Sequence, residues 1–172
     1  AYLNEIKDAI KTIKKNRNKK YAILKCTSLY PAPSSEINLK VIKNLISKFN
    51  NIPIGYSDHA NNYDACLGAV SLGAKIIEKH ITLDKNLKVP DQKVSIDPNE
   101  FKQMVKSIRN IESLLGNENI KPTKKEIKNR GIYHRSVMSV RDIKMGEILS
   151  LNNISLKRSK GNKLGLKPKD FL

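Results

Sequence analysis

The sequence predicts an α/β fold built on a parallel sheet, and three observations carry that reading. Short apolar runs of strand length recur around residues 21–27, 52–57 and 75–80. Each is followed by a segment with helical periodicity or helix-start signals, and the connections between them are short.

Taken in order, Leu3, Ile6, Ala9, Ile10 and Ile13 repeat at helical spacing over residues 1–15. The polar cluster Lys14, Lys15, Asn16, Arg17 and Asn18 closes that helix in a turn. Tyr21 to Thr27 reads as a strand, and Pro31 and Pro33 stop it. Leu39, Ile42, Leu45 and Ile46 form the apolar stripe of a helix reaching about residue 49. Ile52 to Ser57 is a second strand, and Asp64 to Leu72 an alanine-rich helix closed by Gly73. Lys75 to His80 is a third strand, followed by a long loop through Lys88, Val89, Pro90 and Asp91. Asp97, Pro98 and Glu100 then supply an N-cap, a proline in the first turn and an acid against the helix dipole, opening a helix that runs to Leu115. Three strand–helix units fall short of a closed barrel but suit three consecutive units of one.

After Gly116 the character changes. Residues 117–134 are polar and lysine-rich, as in a linker. Residues 135–172 read as a small, mostly β module: Ser136 to Val140 and Glu147 to Leu149 frame a turn at Asp142–Gly146, and Leu151 to Leu156 continues it.

The chain has 172 residues, 39% of them hydrophobic, enough for a globular core. No apolar stretch approaches the roughly 20 residues that span a bilayer. The opening Ala1 to Ile6 lacks the plan of a secretory signal and starts without methionine, so the expectation is one piece of a longer cytoplasmic chain. Cys26 and Cys66 are expected as two buried thiols in a reducing compartment. The net charge of +17 comes from scattered lysines among abundant Ile and Asn, a compositional bias rather than a nucleic-acid footprint.

In a parallel barrel, chemistry gathers where the strands end, and residues two apart share a face. By that parity Cys26, Ser28 and Tyr30 lie together, as do Gly55, Ser57 and His59, and Ile76, Glu78 and His80. His59 and His80 are therefore expected to converge from adjacent strands. With Asp58, Glu78 and Asp91 nearby in sequence they suit a divalent metal, and such nitrogen and oxygen donors fit Mn, Fe, Co or Zn. Ser28 and Ser57 suit phosphoryl oxygens. On the opposite face, Ile77 and Lys79 are expected to pack under a helix with the ammonium reaching outward. His134 is expected at the surface.

The runs Lys25–Pro33 (KCTSLYPAP), Gly55–His59 (GYSDH) and Ile77–Asp84 (IEKHITLD), with Pro90–Lys93 and Asp97–Pro98, resemble the N-acetylneuraminate (sialic acid) synthase family in order and spacing. That resemblance implies the C-terminal part of a TIM (β/α)8 barrel over residues 1–116, followed by part of an antifreeze-like (SAF) domain. It implies a metal-dependent condensation of phosphoenolpyruvate with an N-acetylated hexose such as N-acetylmannosamine and water, giving N-acetylneuraminate and phosphate. His59 and His80 would hold Mn2+ or Mg2+, Ser57 and Ser28 would contact the phosphate, Tyr30 and Asp91 would face the sugar, and Glu78 would support the chemistry. Arg158 would reach the sugar's N-acetyl group from a domain-swapped homodimer partner; its motif reads Lys157, Arg158, Ser159, Lys160, Gly161, with Ser159 in place of the usual proline. Two other readings accompany this one: the same chemistry on a diacetamido hexose, giving legionaminic or pseudaminic acid, and a truncated, non-catalytic remnant.

Overall fold

In a computed structural model, residues 1–15, 20–158 and 165–170 are described. Asn16, Arg17 and Asn18 of the expected turn, and Ser159, Lys160 and Gly161 of the arginine motif, lie outside them. The chain divides into two compact units, Ala1–Asn117 and Glu118–Leu172.

The first unit is α/β with a parallel sheet. After helix α1 (Leu3–Lys15) come strand β1 (Ile23–Cys26), helices α2 (Ser34–Ile37) and α3 (Val41–Lys48), strand β2 (Ile54–Asp58), helix α4 (Asp64–Ser71), strand β3 (Ile76–Lys79) and helix α5 (Pro98–Leu115). The sheet order is β1-β2-β3, with both pairings parallel. β2 is central and buried at every position, whereas β1 and β3 are only partly covered. Ile54, Tyr56, Cys66 and Ala69 meet Ile42, Leu45 and Met104 in one apolar core between the sheet and its helices. Gly55 lets β3 close on β2, because a Cβ there would sit 2.6 Å from the Ile76 carbonyl oxygen.

Two cross-sheet rows follow from the register. Cys26, Ser57 and Glu78 are successive partners on one face, and Asp58 pairs with Lys79 on the other. Beyond β3 the chain runs through a 3-10 turn (Pro90–Val94) and returns so that Ile96 bridges Ile81, with the Ile96 amide donating to the His80 carbonyl at 2.9 Å. Helix α5 starts at a capping box: Asp97 accepts from the Asn99 and Glu100 amides at 2.8 Å, and Glu100 accepts from the Asp97 amide at 2.9 Å.

The second unit departs from its sequence expectation twice. Helix α6 (Lys124–Tyr133) occupies much of the stretch read as a linker, opened by a Thr123–Glu126 capping box. Strand β4 (Arg135–Ser139) pairs antiparallel with β5 (Ile154–Arg158), and no strand forms at 147–149. The backbone in and around that segment bonds locally, to a turn carbonyl at Lys144 and to the side chains of Asn153 and Glu147, instead of in a ladder. Asn153 donates to the Ile148 carbonyl at 2.9 Å and accepts from the Ser150 amide at 2.8 Å, while Glu147 accepts from the Lys144 amide at 3.2 Å. Among the described residues no helix is long and apolar enough to cross a membrane.

Candidate active site

Three chain segments meet where the parallel strands end. β2 delivers His59 one residue past its terminus, and β3 does the same for His80. Their ring centroids lie 5.2 Å apart. The segment after β1 brings Tyr30, whose ring stacks on His59 at 4.0 Å and meets His80 edge-on at 5.8 Å. That segment is anchored by the Ala32 amide, which donates to the His59 carbonyl at 2.9 Å. Asp91, on the turn after β3, places Oδ2 3.7 Å from His80 Nδ1, and Ser95 Oγ holds the turn by donating to the Asp91 carbonyl at 2.8 Å.

His59 is buried, and its Nδ1 lies 2.9 Å from the Thr27 carbonyl oxygen. A carbonyl only accepts, so Nδ1 carries the proton and the ring's lone pair is on Nε2. A backbone carbonyl fixing the tautomer in this way is a common support for a metal-binding imidazole. Among the described residues no three His, Cys, Asp or Glu side chains gather into a complete cage. The residues that could hold a divalent ion here are His59 and His80, with the other ligands left to water or substrate oxygen.

Ser57 is buried and its hydroxyl donates to Glu78 Oε1 at 2.7 Å. A phosphate could receive that hydrogen bond only if the hydroxyl turned from Glu78. Ser28 is exposed. Partial desolvation first, then electrostatic repulsion from neighbouring groups, the carboxylates of Asp91 and Glu78 among them, pushes the Tyr30 hydroxyl above its ordinary pKa, so it remains a neutral donor at working pH. Arg158 is the exposed last residue of β5, in the second unit, and His134 is exposed at the end of α6.

Three expectations are corrected here. Asp58 does not join the histidines: it points to the helix side, where its carboxylate pairs with Lys79 Nζ at 2.9 Å. The Lys79 ammonium accordingly does not reach outward but is fully buried. Cys26 is exposed rather than buried, because it ends an edge strand on the face away from the helices; its Sγ lies 3.7 Å from His59 Nδ1. Cys66 is buried against Asp58. Burial first, and the Asp58 carboxylate next, hold both the Tyr56 phenol and the Cys66 thiol far above their ordinary pKa values. Sequence parity carried the signal for this second cluster, since Tyr56 and Asp58 share a face, but it did not say that Lys79 would turn inward.

Residues 1–120 match the NeuB family. The chain is 41% identical to the N,N'-diacetyllegionaminic acid synthase of Campylobacter jejuni, over all of this chain and 52% of that protein. It is 37% identical to human N-acetylneuraminate-9-phosphate synthase, over 92% of this chain and 44% of that one. The solved structure of the sialic acid synthetase of Leptospira borgpetersenii superposes with a TM-score of 0.68 at 37% identity, covering 76% of this chain and 46% of that one. The chain thus spans about half the length of the relatives it matches. With the parallel sheet, the paired histidines and this similarity together, the chain belongs to the NeuB family.

Proposed function

We propose that the protein condenses phosphoenolpyruvate with an N-acetylated hexose and water, forming a nine-carbon 2-keto acid and phosphate. The observation that carries this reading is the meeting of His59, His80 and Tyr30 at the carboxyl ends of adjacent parallel strands, in a chain whose relatives are sialic acid-type synthases. His59 and His80 would hold a divalent ion, Mn2+ or Mg2+, which supplies Lewis-acid polarisation of the sugar's open-chain aldehyde. Asp91 stands beside His80, its Oδ2 3.7 Å from Nδ1, and would face the sugar, while the Thr27 carbonyl orients His59. Tyr30 offers the sugar a neutral phenol. Ser57 and Ser28 offer hydroxyls to the phosphate, and Glu78 holds the Ser57 hydroxyl until phosphate competes for it. Arg158, on a second unit read as part of an antifreeze-like domain, would meet the N-acetyl group within a domain-swapped homodimer. N-acetylmannosamine is the sugar of the first reading. The Campylobacter relative, an N,N'-diacetyllegionaminic acid synthase, favours a second, a diacetamido hexose giving the legionaminic skeleton.

The test is metal binding and phosphate release from phosphoenolpyruvate by the intact protein, with each sugar, against His59→Ala and His80→Ala. Loss of a ligand for a Lewis acid worth several kcal/mol should lower turnover about a hundredfold or more, with metal affinity falling in step. Parental binding and rate in both variants would overturn the site assignment. The sugar that supports release decides between the two substrates.

A further inference from the structure

The Asp58–Lys79 pair lies on the helix-facing side of the sheet, and both side chains are fully shielded from solvent. The two are register partners on β2 and β3, and each directly precedes one of the imidazoles. Withdrawing two charges from water costs several kcal/mol per ion, and well-packed apolar residues in such places are often no less stable. Stability alone is therefore a poor account of the pair. What an apolar pair lacks is direction.

The hydrogen bonds here are directional and complete. Asp58 Oδ1 accepts from the Tyr56 hydroxyl at 2.8 Å and from the Ala60 amide at 3.1 Å. Asp58 Oδ2 accepts from Lys79 Nζ at 2.9 Å and from Cys66 Sγ at 3.4 Å. Lys79 Nζ also donates to the Ala60 carbonyl at 2.5 Å. Among the described residues no buried side-chain nitrogen or oxygen lacks a partner. The network thus fixes Asp58 and Ala60, the two neighbours of His59, and Lys79, the neighbour of His80. Side chains alternate across a sheet, so fixing one face sets where the next residue's side chain projects on the other.

We infer that Asp58 and Lys79 are positioning residues for the paired imidazoles: the ion pair on one face of the sheet sets the spacing of His59 and His80 on the other. Its catalytic consequence rests on the proposed metal-holding role of those histidines, while its geometric content does not.

The experiment is NMR of isotope-labelled histidine in the metal-free intact protein, followed by Co2+ titration watched by its visible absorption. Lys79→Met alone strands a buried carboxylate and risks unfolding. The double variant Asp58→Asn with Lys79→Met leaves no buried charge and keeps the test decisive, with circular dichroism reporting the fold. In the parent, stacking of Tyr30 on His59 displaces the ring-proton signals, and the two imidazoles show mutual contacts. In the folded double variant those shifts and contacts should be lost, and Co2+ affinity should fall about tenfold or more, the range seen when outer supports of metal ligands are removed. A purely structural pair would change the melting temperature and leave imidazole signals, Co2+ spectrum and affinity unchanged; that result overturns the inference. A parent that binds no Co2+ would remove the metal reading of the site, and the imidazole signals would still decide this one.

Discussion

At the scale of single residues, the sheet depends on how closely β3 approaches β2, and Gly55 sets that distance. A methyl group there would meet the Ile76 carbonyl oxygen at 2.6 Å and the Ile76 Cβ at 2.8 Å. Backbone cannot swing aside as a flexible side chain can. Gly55→Ala should therefore cost about 1–3 kcal/mol, as overpacking a close-packed interior does, and loosen the pairing that sets His59 beside His80. Urea unfolding measures the loss, and a variant of parental stability would show that β3 has room to shift. The residues of the site were legible to very different degrees. His59, His80 and Tyr30 followed from strand parity, because parity depends only on counting along an extended backbone. The inward turn of Lys79 did not: a lysine's long side chain reaches either way, and only the neighbouring buried Asp58 decides which. Cys26 was misjudged for a related reason, since apolar neighbours in sequence do not say whether a strand is central or at an edge.

At the scale of elements, periodicity and caps located most of the first unit. The Asp97–Glu100 capping box could be read from four residues, because both partners belong to one turn. The Thr123–Glu126 box carried the same signal but was obscured by the lysine-rich stretch around it. The segment 147–149 resisted for a physical reason: it has strand-like residues, but its backbone bonds locally, the Glu147 amide to the Lys144 carbonyl and the Ile148 carbonyl to the Asn153 side chain. Glu147 also accepts from both terminal guanidinium nitrogens of Arg141, at 2.5 and 3.2 Å. Arg141 first, then Asn153 and the Lys144 amide, hold the Glu147 carboxyl down at about 2. In an unfolded chain a glutamate titrates near about 4.3. A folded value below the unfolded one means the charged form favours folding. That contribution is complete above the unfolded value and disappears as pH falls toward about 2. The second unit should accordingly loosen between about pH 4.3 and pH 2, and Glu147→Gln should flatten that part of the acid profile while leaving neutral-pH α6 signals in place. Amide exchange across β4 and β5 checks it, and an identical acid profile in the variant would contradict the assignment.

At the scale of the whole molecule, charge is the dominant asymmetry: 33 lysines and arginines face 16 acids. The attractive contacts among the described residues are local. Among the described residues, Arg109–Glu112, Lys85–Glu100 and Arg141–Glu147 pair at the surface, while Asp58–Lys79 is buried. Surface pairs contribute little individually and act over short distances. The excess of like charge acts over longer ones, and a compact state concentrates it more than an unfolded chain does. Salt separates the two. At about 0.01 M the screening length is about 30 Å, so lysines on opposite sides of one unit still repel; at about 0.15 M it is about 8 Å, and only near neighbours interact. The buried ion pair is largely beyond the reach of this screening. Raising sodium chloride over that range should therefore raise the melting temperature, by removing repulsion faster than it weakens those surface pairs. Chloride is the right anion because sulfate and phosphate would add a separate stabilisation by exclusion from the surface. The control is a variant in which several exposed lysines distant from the site are changed to glutamine: it should melt higher at low salt and respond less to added salt. A melting temperature that falls with sodium chloride would mean that attractive surface pairs, and not the net charge, govern the stability of this chain.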